Sequence, residues 1–382
     1  MTRSPLLARL PLAALPLAAL ALVVSLGACD RTSITDPVAP SSEKSPAAMP
    51  TQRVIARGLL YPRGFTFDQS GAIVVAEAGT PEGNTISTVG QCEQVPAPIG
   101  PNLGGSTGRI SRIDMSGTRT TIADHLASAL DAGGDVTGVA DVAYMHGQLY
   151  ALLGAGCSHG HPHDPSAILW VRSDGSRTRL VDLSAWVMSH PTAHPSAGDF
   201  EPDGSWYAMT AYGNALYLVE ANQGNLLSAS GNPMQITRLA DVSATEGHAV
   251  PTSLDIYRND IVVGELTPFP ALPGGSNLLR YGISGHLNGR LPGFTAVLGV
   301  ARDAQFNHYV LESFTCPTST PCFPSPGSGD VVRVAPDGTR TVIATGFSFA
   351  TALRTGPDGN LYVANFGYGP PGMGEIVQIA LH

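Results

Sequence analysis

The segment Arg53-Val54-Ile55-Ala56-Arg57-Gly58-Leu59 matches Val342-Ile343-Ala344-Thr345-Gly346-Phe347, the fourth strand of a repeat near the other end of the chain. The chain itself ends on Glu375-Ile376-Val377-Gln378-Ile379-Ala380-Leu381, a third strand with no fourth behind it. A repeat split between the two ends is completed only when those ends pair. Pairing them turns a row of sheets into a ring without free edges.

Two units alternate between these ends. The first is an apolar run, a tight turn and a second apolar run, as in Gly64-Phe65-Thr66-Phe67 followed by Ile73-Val74-Val75. Its further copies lead into Leu149-Tyr150-Ala151, Leu216-Tyr217-Leu218, Ile261-Val262-Val263, His308-Tyr309-Val310 and Leu361-Tyr362-Val363. The second unit spans 110–122 and recurs at 168–181 and 331–343, with turns Ser173-Asp174-Gly175-Ser176 and Pro336-Asp337-Gly338-Thr339. Looser copies fall at 226–239 and 278–291. Gly, Asn and Asp in the turns suit tight hairpins. With 44 Gly, 31 Pro and only 13% charged residues, the chain lacks the solvated faces that long helices need. The expected fold is all-β, a six-bladed β-propeller over 52–382 closed by pairing its N-terminal strand with its C-terminal strands.

The first 51 residues read differently. Arg3 and Arg9 precede an apolar stretch at 10–26, broken by Pro11 and Pro16, that ends in Leu26-Gly27-Ala28-Cys29. This resembles a lipoprotein signal peptide over 1–28, with Cys29 as the lipidated residue; a plain secretory signal is the alternative. Residues 29–51, rich in Ser, Pro and Ala, read as a tether. The expectation is an exported protein, periplasmic or at the cell surface, that meets a membrane only through its lipid anchor.

Tyr61-Pro62-Arg63-Gly64-Phe65, Val75-Ala76-Glu77-Ala78-Gly79, Ile261-Val262-Val263-Gly264-Glu265-Leu266-Thr267 and Leu361-Tyr362-Val363-Ala364-Asn365-Phe366-Gly367 resemble the ScyD/ScyE family. So does the stretch 334–381. These are exported bacterial propellers of the NHL/SMP30-like kind, linked by name to scytonemin biosynthesis. The resemblance covers 53–381 and implies the fold, an extracytoplasmic location and a tie to secondary metabolism. It carries over no catalytic residues, and 186–206 departs from its pattern.

Short turns gather at one end of such a ring and long connections at the other. The long ones are 79–108, 154–165, 267–276, 313–329 and 366–374, so this loop face is where binding is expected. It holds Cys92, Cys157, Cys316 and Cys322; Cys92 with Cys157 across adjacent blades and Cys316 with Cys322 locally is the most economical of three pairings. Strand two ends in Glu77, Glu220, Glu265 and Glu312, with Asn365 in the sixth copy. Such a ring either holds a divalent cation or repeats one turn-capping hydrogen bond, and repetition at a fixed register favours capping. At the innermost strands, Asp141 is the one charge in a register otherwise filled by Gly64, Ala208, Ser253, Gly299 and Ala352. One residue earlier stand Arg63, Tyr207 and Thr252. Arg63 and Asp141 are expected near the channel mouth, as ligand contacts or as a structural ion pair. His159, His161 and His163 alternate along one loop and are weighed as ligands for Zn or Cu, against the reading that they are only a polar loop.

Much is excluded. Lys44 is the one lysine and falls in the tether, which removes P-loop and Schiff-base chemistry from the body. A net charge of −9 disfavours nucleic acid as a partner. No nucleophile elbow, His-Glu-x-x-His, EF-hand or nucleotide fingerprint occurs. Two readings follow. The favoured one is a monomeric binding or scaffold propeller that takes a small molecule, glycan or protein at the loop face through Arg63, Asp141, Tyr207, Thr252, Glu77 and Glu265. The alternative is a metal-dependent hydrolase like the lactonase propellers, with a divalent cation in the central channel.

Overall fold

The computed structural model describes residues 49–195 and 198–381; the signal peptide expected over 1–28, the lipidation expected at Cys29 and the tether expected over 29–51 up to residue 48 lie outside them. Six antiparallel sheets form the six blades. Blade one contains Pro62–Phe67, Ile73–Glu77, Leu103–Ile113 and Arg119–Leu130, with the short strand Val136–Thr137 added at its edge. The four-stranded blades two to five begin at Val139–Met145, Trp206–Tyr212, Val250–Tyr257 and Val297–Arg302. Blade six takes Ala352–Thr355, Leu361–Asn365 and Gly374–Ile379 from the end of the chain and Gln52–Leu59 from its start. The closing register runs from Gln52 opposite Ile379 to Leu59 opposite Gly374, so the split repeat does close the ring.

The tight turns are built by aspartates. Asp68 Oδ1 accepts from the amides of Ser70 and Ala72, and Asp114 and Asp303 make the same pair of bonds. Gly117 follows at φ +86°, a conformation that costs glycine little. The core lies between blades. Val74, Ile110 and Leu126 of blade one interlock with Val142, Leu149 and Leu169 of blade two, and comparable clusters fill the other gaps. Second strands such as Ile73–Glu77 and Leu361–Asn365 are buried throughout, whereas the outer strand Leu287–Phe294 alternates toward solvent.

Two elements differ from the sequence reading. The loop expected up to residue 108 becomes strand from Leu103, because Gly104 packs directly on the Gly160 backbone. A Cβ there would lie 2.2 Å from the Gly160 carbonyl oxygen, and a glycine run shows no alternation to betray a strand. The atypical stretch after blade two opens with the helix Leu183–Ser189, whose start is capped by Asp182 accepting from the Ala185 amide.

Candidate functional site

The innermost register sorts residues by depth. Arg63, Ala140, Tyr207 and Thr351 line a cavity of about 150 Å³ at the loop face. Gly64, Asp141, Ser253 and Ala352 lie one step below, around a space of about 20 Å³.

Asp141 is 1% exposed and does not meet Arg63. It pairs with Arg354 of blade six at 2.6 Å and accepts from the amides of Val142 and Met209, each at 2.8 Å. Burial pushes its carboxyl up to about 6, even though Arg354 and the two amides pull the other way. Arg354 also donates to the Leu254 and Met209 carbonyl oxygens, so the pair binds blades two, three, four and six together. Gly64 must be glycine because Asp141 lies over it: a Cβ would sit 1.9 Å from Asp141 Oδ1. The partner of Arg63 is Asp135, at 2.6 Å, with a second bond to the Val136 carbonyl oxygen. An Arg63–Asp141 pair is therefore corrected to two separate pairs. Arg63 stands one residue nearer the mouth, within reach of the connector between blades one and two.

The carboxylates at the end of strand two turn into the scaffold. Glu77 accepts from the Leu60 amide and is held by Arg109 and Ser111. Glu220 accepts from the Ser205 amide, Glu312 from the Thr295 amide, and Asn365 Oδ1 from the Ser348 amide. In each case the donor lies just ahead of that blade's first strand, which is the repeated capping bond. Glu265 is buried, accepts from Asn277 and is pushed up to about 7, chiefly by burial. Thr252 donates to the Val297 carbonyl oxygen at 2.6 Å and so ties blade four to blade five. This donor set does not suit an axial divalent cation: its carboxylates are spent on amides, and the Arg354 guanidinium faces Asp141.

The three loop histidines diverge. His159 Nε2 lies 3.0 Å from Glu201 Oε2, His161 Nε2 donates to the Ser128 carbonyl oxygen at 2.8 Å, and His163 is exposed. Among the described residues, no three His, Cys, Asp or Glu side chains are grouped to hold a metal ion. Burial opposes protonation of His159, but the bond to Glu201 together with the charges of Glu201 and Asp203 raises it. The cysteines pair as Cys92–Cys157 and Cys316–Cys322. The first bridge ties the long loop of blade one to the loop that carries His159.

The loop-face cavity thus draws its ionisable and aromatic walls from three blades, with Thr351 added from the entry to blade six. Arg63, Asn102, Asp131 and Asp135 come from blade one and its exit; His159 comes from blade two; Glu201, Trp206 and Tyr207 come from the entry to blade three. Asp131 is pushed up to about 6, first by burial and then by Asp135. Tyr207 is raised by burial, against the pull of the neighbouring Arg63. Asn102, Asp131, Asp135 and Glu201 were missed in the sequence because they lie in connectors that keep no repeat register.

No family model matches the chain, and no curated protein matches it in sequence. Solved structures match in shape. One glucose dehydrogenase structure is 11% identical, covers 87% of this chain and 100% of its own, and gives a TM-score of 0.51. A second glucose dehydrogenase gives 0.50 with the same identity and coverage. A gluconolactonase from Xanthomonas campestris is also 11% identical, covering 86% of this chain and 89% of its own at 0.47. The chain is a six-bladed β-propeller, and likeness at this identity speaks to fold alone.

Proposed function

We propose that this chain is an exported binding propeller that captures a small molecule in the loop-face cavity shared by blades one to three. One observation carries the reading: ionisable and aromatic side chains from three blades converge on a single cavity of about 150 Å³ that opens where the long loops are. Both disulfides favour an oxidising compartment. The Leu26-Gly27-Ala28-Cys29 sequence supports anchoring through lipid on Cys29, and the strings around Arg63, Glu77, Glu265 and Asn365 support a place in the ScyD/ScyE family. From that placing, a secondary metabolite is the kind of ligand expected. A cation-dependent hydrolase reaction is the weaker reading, since the carboxylates it would need serve as caps.

Two experiments test this. Cys29→Ser should move the protein from the membrane fraction to the soluble one; retention on the membrane with the leader intact overturns the anchor. Ala140→Phe fills the cavity from a wall residue that is 8% exposed. It should abolish small-molecule binding seen by ligand-observed NMR while the chain stays folded. Undiminished binding in the filled variant would place the site elsewhere.

A further inference from the structure

The cavity's charges do not balance. Arg63 is matched by Asp135, and His159 is matched by Glu201. Asp131 is left over: its carboxylate accepts from the Asp135 amide at 2.8 Å and, among the described residues, makes no ion pair of its own, feeling only the field of Arg63, whose guanidinium is taken by Asp135. Asn102 lines the same cavity and is 5% exposed, yet its Oδ1 is buried with no hydrogen-bond partner among the described residues. A buried acceptor left in this state destabilises the fold unless something donates to it. The rest of the wall mixes the hydroxyls of Thr137, Ser205 and Thr351 with apolar and aromatic surface. Trp206 is 5% exposed and held by its indole N–H on the Asp203 carbonyl oxygen, Tyr207 stands beside it, and Ile99 lies at the rim.

Unmatched negative charge, an acceptor without a donor and an aromatic wall call for a ligand that is cationic, rich in N–H and partly apolar. The geometry points to a small organic ammonium ion with an apolar body as the ligand class of this cavity, an inference that rests on the cavity being the binding site. A divalent metal ion is disfavoured because the Arg63 guanidinium lies 2.6 Å from the Asp135 carboxylate and repels it. A neutral polyol leaves Asp131 uncompensated, and a carboxylate ligand is repelled by it.

The test is calorimetric titration of the folded body with three probes of one shape: phenethylamine, 2-phenylethanol and 3-phenylpropionate. The amine should bind at least about tenfold more tightly than the alcohol, and the acid should not bind. Asp131→Asn should lower amine affinity by about tenfold and leave the alcohol unchanged, and Asp131→Glu should keep the preference for the amine. Equal affinity for amine and alcohol, or amine binding indifferent to Asp131→Asn, overturns the proposal. If the alcohol or the acid binds and Ala140→Phe abolishes that binding, the cavity stands as the site and the ammonium class falls. If no probe binds at about 10 mM, and benzylamine and tyramine fail as well, the class and the site fall together. The probe series on the unaltered chain decides the matter even where a variant does not fold.

Discussion

Asp141 of blade two and Arg354 of blade six meet at 2.6 Å across the centre of the ring, passing over blade one at Gly64. The two blades are not adjacent in the ring, since blade one stands between them. The contact therefore depends on the ring being closed, and it reports on closure.

Breaking this pair on one side should be costly. Asp141→Ala strands Arg354, which is 18% exposed, and should lower stability by about 3–5 kcal/mol in urea unfolding. Arg354→Leu combined with Asp141→Leu should recover part of that loss. Gly64→Ala should also destabilise, because its Cβ and the Asp141 carboxylate need the same space. A silent Gly64→Ala variant would contradict the packing described here.

Blade five pairs two carboxyl groups where blades three and four pair a carboxyl with an asparagine amide. Glu220 and Glu265 receive hydrogen bonds from Asn225 and Asn277, but Glu312 faces Asp330 across the strand pair. Burial, then Asp330, pushes Glu312 up to about 8, and burial raises Asp330 as well. For acids raised in the folded state, the folded chain binds more protons than the unfolded one. Their contribution is therefore complete below the ordinary carboxylate range and is lost as pH rises from about 4.5 toward about 8. Asp330→Asn supplies a permanent donor and should flatten this decline. Urea midpoints for both proteins at acid and alkaline pH check it, and equal slopes would dismiss the shared proton.

The two disulfides should differ in weight. Cys92–Cys157 closes a separation of 65 residues and Cys316–Cys322 one of 6. Loop-closure entropy puts them at about 4 and about 2 kcal/mol respectively. Thermal melts of Cys157→Ser and Cys322→Ser variants should rank in that order, and the first should also weaken any ligand held beside His159.

Removing the closing strand should unfold more than itself. A chain starting at Leu60 exposes Ile376 and Ile379, both now fully buried, along an unpaired edge, and should melt lower and aggregate. A chain starting at Met49 should match the full protein. Equal melting of the two shortened chains is incompatible with a closed ring.

Periodic features of this protein were legible in its sequence, and aperiodic ones were not. Strands such as Ile73–Glu77 repeat because every blade presents the same faces to its neighbours, and the orphaned third strand announced the closure. The four cysteines sat in loops whose equivalence follows from the same count. The depth of Arg63 above Asp141 was readable from register, but their partners were not. Asp135 lies in a connector and Arg354 lies 213 residues away. His159 was singled out for alternation with His161 and His163, yet the loop folds through a left-handed Gly160 that turns the rings apart. The role of Glu77 and its counterparts hung on amides ahead of the first strands, which no side-chain pattern encodes.

The closing strand Gln52–Leu59 also sets how the ring bears a pull. It enters at the turn end and lies antiparallel to Gly374–Ile379 through six residue pairs. A pull applied to Gln52 along the strand axis loads the paired hydrogen bonds in shear, so they must yield together. A hairpin tugged from its open end would unzip one pair at a time. The joint that seals the circle is thus a mechanical clamp, strongest along its own strand axis.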